Sequence, residues 1–254
     1  MTVRMLLLSM MVLSLSKGMT AAEGQNTGLI APFSRLEKIA DGFIFSEGPA
    51  SDRDGTIYFS DFQFYNDQDG LADFVDGRPL TRLLAYDPPS GTTRVVLDGL
   101  YAANGVALGP GDQYVLVNEF FAYRVTRFWL TGPKKGQVEP FIENLPGMPD
   151  NITFNGHDIF WVALYTRRSP LYDTLQSNPF YRGVIRRLPL FLLPTEPAKY
   201  GFVLGLDLDG NVIHNLQDPS GKFVSQVTSV FELDRMLYLG NIGDDTIHRI
   251  PRPT

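Results

Sequence analysis

The sequence predicts an all-β protein of β-propeller architecture. Two observations carry this. Its strand-like runs are short and bounded by Gly, Asp, Asn and Pro turns. One pattern also returns along the chain: an oxygen-bearing side chain, a strand, a tight turn, an aromatic-rich strand and an outer hairpin. Asn104 follows Glu47 by 104 − 47 = 57 residues, and Asn151 follows Asn104 by 151 − 104 = 47. Units of that size with several strands each indicate propeller blades. A β-sandwich of unrelated hairpins explains the strands but not the repeated order.

The first unit runs from Phe43 to Ala50, turns at Asp52-Arg53-Asp54-Gly55 and continues from Thr56 to Asp61. The second runs from Asn104 to Leu108, turns at Gly109-Pro110-Gly111-Asp112 and resumes over Tyr114 to Asn118. The third holds Asn151 to Phe154, the Asn155-Gly156 turn and Ile159 to Leu164; the fourth holds Val227 to Phe231, a turn near Asp234 and Met236 to Gly240. Outer hairpins recur as Arg82 to Asp87 with Arg94 to Leu97, Arg124 to Leu130 with Pro140 to Ile142, and Phe202 to Asp207 with Val212-Ile213. Four repeats are therefore visible, with the strands after Glu47, Asn104, Asn151 and Thr228 expected innermost in four-stranded blades.

Between the third and fourth units lies an insertion, about residues 169–194. Leu171 and Leu175, then Val184 and Leu188, fit helical spacing, and Pro179 and Pro189 would bound or kink the helices. Arg182, Arg186 and Arg187 form a basic cluster beside them. The insertion reads as a helical cover on one propeller face; a lid over a substrate site and a membrane-touching surface are the alternatives.

Composition bounds the function. The chain has 254 residues, 44% of them apolar, with a formal net charge of −6 and no cysteine. An acidic protein lacks the basic face that nucleic acid requires. Disulfides, thiolate metal sites and cysteine nucleophiles are excluded. At the N-terminus, Arg4 precedes an apolar run from Met5 to Leu15, and Thr20-Ala21-Ala22 offers a cleavage site before Glu23. Residues 1–22 read as a secretory signal peptide, too short in its apolar run to span a bilayer. The propeller domain is then 23–254, working in a secreted or periplasmic setting, and the lack of cysteine favours a disulfide-independent export route.

If the repeats are related by rotation, Glu47, Asn104 and Asp150 or Asn151 converge on the axis. Carboxylates with amide oxygens make a hard-cation site, suited to Ca²⁺ or another divalent cation and not to zinc. Taken singly, Asn-Gly usually marks a turn, and Asp-Asn can simply tie down a loop. Their occurrence at equivalent places in three repeats is the signal.

Several segments resemble a known family. They are Tyr101 to Leu108, Tyr114 to Glu119, Tyr123 to Leu130, Glu143 to Ile152 with Phe160-Trp161-Val162-Ala163, and Tyr238 to Asn241. They are similar to the strictosidine synthase-like group, which includes the adipocyte plasma membrane-associated proteins and is related to the gluconolactonase/regucalcin and paraoxonase propellers. The resemblance implies a six-bladed propeller, a central metal that is usually calcium, and in many members hydrolysis of lactones or aryl esters. It implies Glu47, Asn104 and Asp150 as metal ligands, with Asn151 beside Asp150 in the paraoxonase manner. This chain departs from the pattern in three ways. The Glu47–Asn104 interval lacks two blades, implying a four- or five-bladed variant or a shortened family member. Thr228 stands where the synthase glutamate falls, which argues against Pictet–Spengler condensation. His157, His214 and His248 match no histidine dyad and read as surface or edge residues.

The expected chemistry is calcium-dependent hydrolysis of a small-molecule lactone or aryl ester. The ion would stabilise the developing oxyanion, and Asp150 would take a proton from water. No Gly-x-Ser-x-Gly motif offers an acyl-serine route. Glu119, Tyr123 and Asn241 are candidates for the substrate pocket, with blade packing as their bland alternative. The competing class is a non-catalytic propeller that binds a small molecule or protein around a structural calcium.

Overall fold

A computed structural model describes residues 45–62, 77–185, 199–242 and 245–254. The proposed signal peptide, and all else before residue 45, lies outside the described residues, as do residues 186–198 of the insertion.

The described residues form four antiparallel meanders. The first sheet joins β1 (Phe45–Ser51), β2 (Ile57–Phe62), β3 (Thr81–Asp87) and β4 (Thr92–Leu100) in that order. The second joins β5 (Ala103–Leu108), β6 (Tyr114–Glu119), β7 (Arg124–Trp129) and β8 (Val138–Ile142). The third joins β9 (Gly147–Phe154), β10 (Phe160–Arg167), β11 (Gly201–Leu206) and β12 (Val212–Asp218). The fourth joins β13 (Val227–Leu233), β14 (Met236–Asn241) and β15 (His248–Pro251), three strands where the repeat predicts four. First strands pack on one another, β1 on β5, β5 on β9 and β9 on β13, as propeller blades do.

Period-2 alternation explains how the blades stack. In the run Tyr114-Val115-Leu116-Val117 every residue is apolar because both faces of the sheet are covered. Val115 and Val117 point toward the first blade and join Tyr58, Leu83, Ala103 and Val106. Tyr114 and Leu116 point toward the third and join Ile152, Phe160, Val162 and Leu204. Phe160-Trp161-Val162-Ala163 divides the same way, with Trp161 and Ala163 meeting Val227, Val230, Leu237 and Leu239 of the fourth blade. Outer strands have one covered face at most, and Val212, Ile213 and His214 are partly or largely exposed. Trp161 is fully buried, and its Nε1 donates to Glu232 Oε2 at 2.6 Å. A bond to a charged acceptor of this kind contributes roughly 1.5–3 kcal/mol.

The insertion contributes α1 (Pro170–Ser177) and α2 (Pro179–Ile185). Ser169 caps α1 by accepting from Tyr172 N at 3.3 Å, with Pro170 in the first turn. Pro179 opens α2 rather than kinking a longer helix. The buried edge of α1 is Tyr172 and Leu175, whereas Leu171 remains 48% exposed.

Candidate functional site

Each first strand is interrupted at the same place. Between Glu47 and Ala50 the register of β1 against β2 slips, leaving Gly48 and Pro49 opposite one partner residue. The slip recurs between Ala103 and Val106, where Asn104 and Gly105 face Asn118. It recurs around Asp150 and Asn151, between the Pro149–Leu164 and Ile152–Val162 pairs, and around Thr228. These are β-bulges, which bend a strand and re-aim its side chains. Asn104 and Asp150 lie within two of these bulges, and Glu47 directly precedes a third.

Two glycines let the bulges meet. Gly48 has φ +55°, a left-handed conformation that disfavours side chains, and a Cβ there would stand 2.8 Å from Gly105 Cα and Val106 N. A Cβ on Gly105 would stand 2.5 Å from Asn151 Cα and 2.8 Å from the Asp150 carbonyl oxygen. The backbones of three blades therefore touch at successive glycines.

Glu47 and Asn104 are neighbours of Asp150. Asp150 is only 8% exposed. Burial first, then the charge of Glu47, push its carboxyl well above the ordinary range, while a hydrogen bond from Asn104 acts the other way. Glu47 is also raised by burial, partly offset by the backbone N–H of Gly48. Asn151 Nδ2 donates to Asp150 Oδ1 at 3.1 Å and to the Thr228 carbonyl at 3.0 Å, stitching the third blade to the fourth. Asn118 Nδ2 donates to the Asp150 carbonyl at 2.6 Å, stitching the second blade to the third.

This donor set fits a hard cation. Asn104 Oδ1 is buried with no hydrogen-bond partner, and so is Asn118 Oδ1. An unsatisfied buried carbonyl costs about 1–3 kcal/mol. It stands here beside two buried carboxylates, and the charge of Glu47 raises the proton affinity of Asp150. No cluster of three or more His, Cys, Asp and Glu forms among the described residues, so amide oxygens must supply the rest of any coordination shell.

The other candidates lie on the same face, but with partners of their own. Glu119 is fully buried; Arg124 Nε and Nη2 donate to it at 2.7 and 3.0 Å, the Tyr101 N–H donates at 3.0 Å, and the Thr126 hydroxyl binds the same carboxylate. That network locks β6 to β7. Tyr123, at φ +51°, is 4% exposed, and its hydroxyl accepts from Ser169 N at 3.4 Å. Burial pushes the Tyr123 hydroxyl up to about 12. Asn241 Nδ2 donates to the Thr246 carbonyl at 2.9 Å. As expected of edge residues, His157 lies in the Asn155 turn, His214 stacks on Trp161 at 5.4 Å, and His248 bonds Thr246.

The sequence reading missed Asn118, Phe120 and Tyr165. The signal for Asn118 was a polar residue closing the apolar run Tyr114 to Val117. Tyr165 is raised by burial and then by the Asp150 charge, which places it beside the axial site.

A propeller whose inner strands bulge at a shared axis and present carboxylate and amide oxygens there defines the class. The comparisons then specify it. The family described as Strictosidine synthase matches residues 50–133. Protein STRICTOSIDINE SYNTHASE-LIKE 13 of Arabidopsis thaliana is 34% identical over 206 residues, covering 79% of this chain and 48% of the relative. The adipocyte plasma membrane-associated protein of Bos taurus is 36% identical over 198 residues, covering 74% and 48%. Among solved structures, a gluconolactonase from Xanthomonas campestris superposes with a TM-score of 0.52 at 16% identity, covering 81% of this chain and 56% of that one. A luciferin-regenerating enzyme gives 0.53 at 14% identity, covering 78% and 54%. The chain is a β-propeller protein similar in sequence to the strictosidine synthase-like proteins, and it spans about half the length of the curated relatives it matches.

Proposed function

We infer that the protein is a calcium-dependent hydrolase of small-molecule lactones or aryl esters. The observation that carries this is the meeting of Glu47 and Asp150 around the unpartnered, buried Asn104 Oδ1. Glu47, Asn104 and Asp150 would hold Ca²⁺, with Asn151 Oδ1 as a further donor. When bound, the ion supplies a positive charge that polarises the substrate carbonyl. Asn151 and Asn118 orient Asp150, one through its carboxylate and the other through its carbonyl. Asp150, ionised, accepts the proton of the attacking water. Thr228 offers its carbonyl to Asn151 and has no carboxyl with which to perform synthase chemistry.

The work would take place outside the cytosol, in line with the signal-like residues 1–22. A membrane-facing use of 169–194 has the exposed Phe180 and Tyr181 in its favour. The test is a hydrolysis screen over lactones and aryl esters with Ca²⁺ and with chelator. Chelator-sensitive turnover of at least one substrate is the expected result. No turnover in a protein whose melting temperature still responds to Ca²⁺ would leave a structural ion in a binding propeller.

A further inference from the structure

The three most exposed large apolar side chains among the described residues stand at one end of the propeller. They are Phe223 at 79%, Ile247 at 75% and Phe180 at 73%, and the next, Phe231, is at 57%. Phe180 is in α2, between β10 and β11; Phe223 lies between β12 and β13, and Ile247 between β14 and β15. The register pairs Gly147 with Arg167, Gly201 with Asp218 and Val227 with Asn241. All three connections therefore leave the end where β9 begins, just ahead of Asp150. Each tip is held by polar bonds within its own segment. Phe180 N donates to Asn178 Oδ1 at 3.0 Å, Phe223 N to Asp218 Oδ2 at 2.8 Å, and Asn241 Nδ2 to the Thr246 carbonyl, beside Ile247, at 2.9 Å. The exposed Tyr181 ring packs on Phe180 at 5.8 Å between centroids.

We propose that this end of the third and fourth blades docks on a bilayer containing anionic lipid, with Phe180, Phe223 and Ile247 entering the interface together. Beyond the Arg168–Asp173 bridge at 2.8 Å, the three connections carry Arg167, Arg182, Lys199 and Lys222 against Asp218 and Asp245. That is a balance of 4 − 2 = +2 in a chain whose net charge is −6. A local reversal of sign suits an anionic headgroup layer, which draws basic residues toward it. A protein partner fits less well, because its anchors gather at the centre of one closely packed patch. These tips project singly from separate loops with cations beside them, the pattern of side chains that enter a lipid interface. The docked end is the one that holds Asp150, so docking turns the axial site toward the lipid. The proposal rests on the membrane-facing reading of 169–194 and extends it to two further loops; binding is read without turnover.

The test uses the full chain, which has no cysteine, so an introduced one carries a unique thiol label. Phe180→Cys, Phe223→Cys, Ile247→Cys and, at the opposite end of the third blade, Val212→Cys each receive an environment-sensitive fluorophore. Vesicles are phosphatidylcholine alone or phosphatidylcholine mixed with phosphatidylserine. On the mixed vesicles the labels at 180, 223 and 247 are expected to shift to the blue and become shielded from iodide, while the label at 212 stays in water. Phe223→Ser should weaken partition roughly tenfold, the scale of withdrawing one Phe side chain from apolar surroundings, with the melting temperature unchanged. Phe231→Ser, exposed on a sheet face, should partition like wild type. Attachment through the apolar run from Met5 to Leu15 would leave all these labels in water, and that outcome overturns the proposal. Shielding at 180 alone leaves contact through the insertion only and overturns the shared face. Equal shielding on phosphatidylcholine alone refutes the charge match, and equal partition of Phe223→Ser and wild type refutes the insertion of Phe223.

Discussion

Gly105→Ala probes the axial assembly most directly. The new Cβ would stand 2.5 Å from Asn151 Cα, 2.6 Å from Ile152 N and 2.8 Å from the Asp150 carbonyl oxygen. All three are backbone atoms, so no side-chain rotation makes room. Restoring an ordinary separation of about 3.5–4.0 Å moves β5 and β9 apart by about 1–1.5 Å. Overpacking of this kind costs about 1–3 kcal/mol. The same displacement draws Asn104 away from Asp150, and a shell of oxygens at about 2.3–2.6 Å does not span the difference. Urea unfolding in chelator should show the stability loss. A Ca²⁺ titration should show the second effect: at 100 times its dissociation constant the ion stabilises wild type by about 2.7 kcal/mol, and each tenfold loss of affinity removes about 1.4 kcal/mol of that. A variant within about 0.5 kcal/mol of wild type and with the same response to Ca²⁺ would refute the close-packed axis and the shared ion together.

Other outcomes follow from the same contacts. Arg124→Met leaves the fully buried Glu119 without its cation and should destabilise by about 3–5 kcal/mol in denaturant unfolding, with little effect on Ca²⁺ affinity. Asp150→Asn should cut turnover about 10²–10⁴-fold even at saturating Ca²⁺, whereas Glu47→Gln should be rescued in part by excess ion; full activity of the first variant would remove Asp150 from the mechanism. Asp150 is raised in the folded state, so in chelator its contribution is greatest below about pH 4 and is lost as pH rises toward the folded value. Ca²⁺ should reverse that slope, because only the ionised carboxylate binds it, and melting temperatures from pH 4 to 8 with and without chelator check the sign. Asp218 is held down at about 2 by the Ser220 hydroxyl, with burial opposing and the Phe223 and Val224 N–H groups assisting. Its contribution is present above the unfolded carboxylate range and lost as pH falls toward 2, so Asp218→Asn should flatten the acid limb of the stability curve.

Much of this was legible along the chain, because propeller blades are local in sequence. A strand, its turn and its antiparallel partner follow one another, so Asp52 to Gly55, Gly109 to Asp112 and Asn155-Gly156 mark hairpins without reference to distant contacts. Unbroken apolar runs such as Phe160 to Leu164 report that both faces of a strand are covered. The roles of Glu119 and Tyr123 were less legible. A Glu closing an apolar strand looks the same whether it faces a pocket or an arginine, and only the position of Arg124 across β6 and β7 decides. Asn118 looked like the end of a strand until its bond to the Asp150 carbonyl placed it behind the site.

The sequence by itself determined the repeat, its turns, the absence of cysteine chemistry and the types of oxygen donor available. Side-chain period and turn chemistry are properties of neighbouring residues, and a single chain displays them. Tertiary structure decided where those donors point. An extended strand alternates its side chains strictly, and a regular ladder would send Asn104 and Asp150 between the blades like their apolar neighbours. The bulges at Gly48-Pro49, Asn104-Gly105 and Asp150-Asn151 break that alternation, and two glycines without side chains let the broken places touch. Neither the bulge register nor the contact between Gly105 and Asn151 has a local signature, because both depend on backbones brought together from separate blades.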